Sequence, residues 1–146
     1  MTIPLNCHSF YSLLRGTTSV ESIVEKAVEL NFLALALTDT NATYGVVAFQ
    51  KSAISHGIRP IFGAEVDDPE TGDHAVLLAK NLLGFGEVCR VVTDRNLKSN
   101  FSLASRLRHC NDHVIVLSPS LEIIDTVAKA RGSRNLGIEL ILWQSG

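Results

Sequence analysis

Nowhere does this chain carry the ~18 consecutive apolar residues that a bilayer-spanning helix needs, so no membrane partner is expected. Its first residues, Met1-Thr2-Ile3-Pro4-Leu5-Asn6-Cys7-His8, have neither the basic start nor the apolar stretch of a secretory signal. The expected compartment is therefore the cytoplasm. Basic surplus is missing too: 13 Lys and Arg stand against 15 Asp and Glu, a formal net charge of -2. A free-standing nucleic-acid binder draws most of its affinity from neutralising phosphates, so contact with DNA is expected only indirectly. Cysteine is sparse: Cys7, Cys89 and Cys110 are far apart and none belongs to a Cys-x-x-Cys pair. That spacing argues against a disulfide framework and a cysteine-based zinc site, and predicts buried free thiols. Internal repeats, low-complexity tracts and interdomain linkers are also absent from the sequence.

What is present is apolar material. Hydrophobic residues make up 46% of the 146 and charged residues 19%, enough for one packed domain over residues 1–146 and too apolar for disorder. The pattern alternates strand and helix. Ile3 to Cys7 reads as a short strand. Ser19 to Leu30 reads as a helix with Ser19 as N-cap and Val20, Ile23, Val24, Ala27 and Leu30 at helical spacing. Leu33 to Leu37 is an apolar run of the kind buried on both faces. A helix over Tyr44 to His56 closes at Gly57. Strands follow at Ile58 to Val66 and His74 to Ala79, separated by the turn cluster Asp67 to Gly72. Helical patterns cover Leu82 to Asn96 and Ser102 to His109. The strand His113 to Leu117 then leads into a helix with Pro119 as its first residue. Ile138 to Trp143 reads as the last strand. Such alternation predicts parallel pairing with right-handed crossovers; an open doubly wound sheet and a closed barrel both fit it.

In parallel α/β folds the functional groups gather at the carboxyl ends of the strands. Those ends here carry Asn6-Cys7-His8-Ser9, then Thr38-Asp39-Thr40-Asn41, then Glu65, with His74 opening the next strand. Imidazoles with carboxylates are the donor set of an oxygen-and-nitrogen metal site. Strand-end carboxylates also cap the following helix, and spacing alone leaves both readings open. Lys80, Arg90 and Arg95 form a modest basic face, read as solvated.

The motifs themselves are more specific. Leu5-Asn6-Cys7-His8-Ser9-Phe10-Tyr11-Ser12-Leu13-Leu14-Arg15-Gly16 resembles His-x-His-Ser-x-Tyr-Ser-Leu-Leu-Asp-Gly. Ala34 to Thr40 resembles Ala-Leu-Ala-Leu-Thr-Asp-His, and Gly57 to Val66 resembles Gly-Ile-Lys-Pro-Ile-x-Gly-x-Glu. His74 to Asn81, Gly84-Phe85 and Arg90 to Thr93 complete the series in order. Together they resemble the PHP domain, the polymerase-and-histidinol-phosphatase module at the N-terminus of bacterial DNA polymerase III alpha chains and error-prone family-C polymerases. The last segment is similar to the polymerase branch of that family.

That resemblance implies an α/β fold, parallel strands alternating with helices in a distorted TIM-like barrel. It is expected to be incomplete, with about six strands and fewer residues than the ~200 usual for such barrels, as in an excised or truncated N-terminal portion of the family's domain. The resemblance also implies a metal site whose ligands transfer only where residues match. His8, Glu65 and His74 match; Asn6, Arg15 and Thr40 stand where the family has ligands, and Asp39 lies beside them in the pocket. No residue is assigned as catalytic. The expected role is non-catalytic support of a polymerase body or other replication subunits, without cofactor, and with a second copy as a further partner through an open barrel edge. The rival is a metal-dependent phosphoesterase or 3′–5′ exonuclease using zinc, manganese or magnesium at the surviving ligands. Where the metal is missing, Arg15 is expected to supply the cation in its place; the alternative is that it turns outward to solvent.

Overall fold

The computed structural model describes residues 2–141. Helix α1 (Val20–Glu29) starts at Ser19, whose hydroxyl accepts the Ser22 amide at 3.1 Å, and it buries Val20, Val24 and Ala27. Strand β1 (Ala34–Leu37) is buried along its whole length. Helix α2 (Val46–Ser55) ends at His56, and Gly57 then turns the chain at φ 72, where a side chain would be strained. Strands β2 (Arg59–Asp67) and β3 (His74–Ala79) follow, then α3 (Leu82–Leu97), the short α4 (Leu103–Leu107), β4 (Val114–Ser118), α5 (Leu121–Arg131) and β5 (Leu136–Ile138). The strands form one sheet in the order β1-β2-β3-β4-β5.

Four features differ from the sequence reading. Strand β3 is antiparallel to both β2 and β4, while β1–β2 and β4–β5 are parallel. A parallel return needs a crossover of a dozen or more residues, and the 68–73 turn is too short for one. The segment Ile3 to Cys7 is no regular strand: it lies beside β1, with Pro4 and Cys7 carbonyls accepting the Ala36 and Thr38 amides at 2.9 Å each. Helix α5 is capped by Ser120, leaving Pro119 just outside it. The last expected strand, Ile138 to Trp143, is instead Leu136–Ile138, and its final two residues lie outside the described residues.

Alternation along the strands sorts the core into faces. Leu35 and Leu37 of β1 pack with Val20, Val24 and Phe49 of α1 and α2. Ala64, Val66, Ala75 and Leu77 pack under α3, α4 and α5 with Val88, Val91, Leu103 and Ile123. The opposite face carries Ala36, Ile61, Val76, Leu78, Ile115 and Leu117. Strands β2 and β3 approach so closely at Gly63 that a Cβ there would meet the Leu77 carbonyl oxygen at 2.3 Å.

Asp68 ties the hairpin to the helical layer. It is buried, its Oδ1 accepts the Glu70 and Thr71 amides at 3.0 and 3.2 Å, and its Oδ2 accepts the Leu103 amide that opens α4 at 2.8 Å. Burial opposes its charge, yet these amides hold its carboxyl below the usual range. Replacing it strands the buried Leu103 amide and removes the two bonds that close the 68–71 turn. Asp68→Ala is therefore predicted to cost about 2–3 kcal/mol, read as a lower urea midpoint with an unchanged slope.

Candidate functional site

The antiparallel β3 is what assembles the site. Because β3 runs back along β2, His74 at its start sits opposite Asp67, two residues past Glu65 on the same face. The ends of β1 and β2 meet through a parallel bridge between Thr40 and Glu65. The 4–7 segment beside β1 brings Asn6 and His8 to the same end.

Glu65 is the centre. Its side chain is 5% exposed, and Arg15 Nη1 donates to its Oε1 at 2.6 Å. Asn6 Nδ2 donates to Oε2 at 3.1 Å, His8 Nε2 lies 3.5 Å from Oε2, and the Thr40 hydroxyl donates to Oε1 at 3.4 Å. The Asn6 amide is aimed by Thr38, whose hydroxyl donates to Asn6 Oδ1 at 2.8 Å and leaves the NH2 facing the carboxylates. Burial alone would raise the Glu65 pKa. Hydrogen bonding from His8 and Asn6 and the charges of His8 and His74 outweigh it, and the carboxyl is held at about 2.

Asp39 has a different task. It is 2% exposed and accepts the Ser9 amide at 2.7 Å, the Ser9 hydroxyl at 2.8 Å and the Ser12 hydroxyl at 2.7 Å. These bonds lock the 9–12 loop onto the end of β1. The Arg15 and Gly16 amides then bond back to the Ser12 carbonyl at 3.0 and 2.9 Å. Only glycine fits at 16, since a Cβ would overlap the Ser9 carbonyl oxygen at 1.8 Å. Leu14 adopts φ 65 on the way, fully exposed. The tight turn points Arg15 inward at Glu65.

The structure brings Asn6, His8, Arg15, Thr40 and Glu65 together, with Asp39 as the brace beneath. His74 joins through a residue the sequence reading did not single out. Glu139, just past β5, accepts from Asn6 Nδ2 at 3.3 Å through Oε1. Its Oε2, shut off from solvent, lies 3.4 Å from His74 Nε2 without a hydrogen-bond partner among the described residues. Reading Glu139 as the second residue of a long strand hid it. A strand ending at Ile138, five residues before the expected end, gives the signal that marked Asp39 and Glu65, a carboxylate at the end of a parallel strand. Cys7 contributes no thiolate here: burial pushes its thiol up to about 11. The basic face beside α3 is largely neutralised, with Arg90 on Glu87 at 2.9 Å and Arg95 on Asp67 at 2.6 Å.

A pH dependence follows from Glu65. Its carboxyl titrates lower in the folded chain, about 2 against an ordinary 4.5, so its contribution is complete above 4.5 and lost as pH falls toward 2. That shift corresponds to about 3 kcal/mol. Urea unfolding measured across this window should show Glu65→Gln losing stability less steeply than the native chain on acidification. Asp68, Glu87 and Asp94, whose carboxyls are also held low, supply the slope that remains.

Comparison with known proteins agrees with this architecture. A model of the family described as "PHP domain" matches residues 4–141. The DNA polymerase III subunit alpha of Chlamydia pneumoniae is 32% identical over 160 aligned residues, which cover 97% of this chain and 13% of that protein. An error-prone DNA polymerase of Cutibacterium acnes is 37% identical over 103 residues, 64% of this chain and 9% of its own length. The chain thus spans only a small fraction of the curated relatives it matches. Among solved structures, an amidohydrolase from Chromobacterium violaceum with bound sulfate and no metal superposes with a TM-score of 0.50 at 24% identity, over 64% of this chain and 34% of that one. That likeness concerns the fold, a TIM-like α/β architecture of which this sheet is an open part. By these matches, and by the ordered motifs from Asn6 to Thr93, the chain belongs to the PHP domain family.

Proposed function

We propose that this PHP domain, one unit over residues 1–146, is a non-catalytic module of a family-C DNA polymerase chain. Its role is to support the polymerase body or other replication and repair subunits. The observation that carries the proposal is the Arg15–Glu65 ion pair at 2.6 Å. A divalent ion in this pocket would need the Glu65 oxygens, and Arg15 and Asn6 already hold both. A guanidinium is permanently charged and repels a second cation at that distance. Among the described residues no group of three His, Cys, Asp or Glu side chains is arranged to hold a metal ion. This donor set does not fit zinc, manganese or magnesium. Support for a polymerase context comes from the relatives, which are DNA polymerase III alpha subunits and error-prone polymerases. Edge strand β5 is where a second copy would pair.

A metal-dependent phosphoesterase or 3′–5′ exonuclease is the second reading. Glu139 favours it by adding a carboxylate beside His74 and Asn6. Metal analysis of the purified chain with a nuclease assay in manganese or zinc separates the two. The proposal expects no stoichiometric metal and no turnover. Stoichiometric metal, with turnover abolished by His8→Ala, would overturn it. Because the Arg15 side chain is 53% exposed, solvent screens the pair. Arg15→Ala is therefore predicted to cost about 1–2 kcal/mol, below the ~3–5 kcal/mol of a fully buried pair, read by thermal melting at neutral pH. Arg15→Asp should be less stable still, and zinc or manganese should raise its melting temperature but not that of the native chain.

A further inference from the structure

The two ends of the sheet carry opposite charge. Around Glu65 lie Asp39, Asp67, Asp68, Asp73 and Glu139, all at strand ends or in the β2–β3 turn. The other end starts β2 with Arg59 and closes β3 just before Lys80, whose amide bonds to the His113 carbonyl at 2.9 Å where β4 opens. The Asn135 carbonyl accepts the Val116 amide, which brings its neighbour Arg134 to the same end, and Arg108 caps α4 there. Arg59, Lys80, Arg108 and Arg134 are exposed and enter none of the ion pairs among the described residues. Lys80 donates to the Asp112 carbonyl and the Asn135 side-chain oxygen at 3.3 and 3.2 Å, both neutral acceptors. Arg131, at the end of α5, lies beneath. Its side chain is 6% exposed, and its Nε and Nη1 are buried with no hydrogen-bond partner among the described residues. Asp112 stands among these cations, 3.7 Å from Arg131 and itself 82% exposed. Glu29, at the same end on α1, is held by Lys26 at 2.7 Å.

The formal net charge of -2 conceals this separation. Arg59 and Glu65 stand on one extended strand, about 20 Å apart at the rise of a strand. That is more than twice the ~8 Å Debye length at physiological salt. A ligand at the cationic end is thus screened from the carboxylates of the other.

We infer that this cationic end is a docking surface for the phosphodiester backbone of a nucleic acid, held without reading its bases. The cations are spread over β2, β3, α4 and the loop before β5 rather than gathered in one pocket, as contact with an extended polyanion requires. Arginine predominates, and its fork matches phosphate oxygens. Segments 108–113 and 132–135 have no apolar side chain except the buried Cys110, so they offer no anchor of the kind a protein interface centres on. They have no aromatic ring on which a base would stack either. The inference goes beyond the supporting role proposed above and uses none of the residues around Glu65.

The test is fluorescence anisotropy of a labelled DNA duplex of about 20 base pairs against the whole chain, from about 50 to 200 mM salt. Four phosphate contacts predict a slope of log K against log salt of about -3 to -4, the same for unrelated base sequences. The variant Arg59→Gln/Lys80→Gln/Arg108→Gln/Arg134→Gln, checked for native circular dichroism, should bind at least about tenfold more weakly at the lowest salt, with a much flatter slope. Lys98→Gln, which removes a cation beyond the far end of α3, should leave both unchanged. Absence of binding by the native chain would overturn the inference. So would a slope that the fourfold variant retains, or displacement of the duplex by a polyglutamate peptide as effectively as by unlabelled duplex, which would assign this end to an acidic protein.

Discussion

A carboxylate removed from water must be met by positive charge or by donors, and in this chain that carboxylate is Glu65. The end of β2 places it inside, 5% exposed, and the surrounding sequence answers it atom by atom. Arg15 and Thr40 approach one oxygen, Asn6 and His8 the other. The loop that delivers Arg15 depends on Asp39 below it and on the absence of a side chain at Gly16. Asn6 in turn depends on Thr38 to direct its amide. The 2–18 segment is thereby fixed to the sheet by polar contacts and by Cys7 and Tyr11 packed on the α1–α2 core; among the described residues, its backbone bonds to the β1 stretch come from Pro4 and Cys7.

The second determinant is the short β2–β3 turn. It forces β3 to run antiparallel and so carries His74 to the end of the sheet where Glu65 lies. The same turn places Asp68 where it can open α4, which couples the site end of the sheet to the helical layer. Ion pairs among Glu87, Asp94 and Arg106 then join α3 to α4. Arg90 and Arg95 near α3 are likewise engaged, with Glu87 of the same helix and with Asp67 of β2.

Much of this was legible in the sequence. Periodicity located α1, α2 and α3 to within a few residues, because each buries one regular face, and an unbroken apolar run located β1; Ser19 marks the start of α1 and Gly57 the stop after α2. Motif order pointed to the family. Periodicity could not give strand direction; turn length could have, and the 68–73 segment was read only as a turn. Ile3 to Cys7 has the alternation of a strand, but Pro4 has no amide to donate, and the Cys7 amide goes to the Thr38 hydroxyl rather than to a backbone carbonyl. For the site, residue identity marked where this sequence departs from the resembled motif, at Asn6, Arg15 and Thr40, and left Arg15 open between pairing with a carboxylate and turning to solvent. It could not show Glu139, whose approach to Asn6 crosses 133 positions of sequence.

The claim on which the rest turns is that Arg15 and Glu65 compensate one another. A double-mutant cycle built from Arg15→Ala, Glu65→Gln and the pair, measured by urea unfolding at neutral pH, isolates that interaction from the effect of each side chain alone. The account predicts a favourable coupling of about 1–2 kcal/mol that weakens only modestly in high salt, since one partner is buried. Strictly additive single effects would contradict it, and would mean that the Glu65 charge is met by the surrounding donors without Arg15.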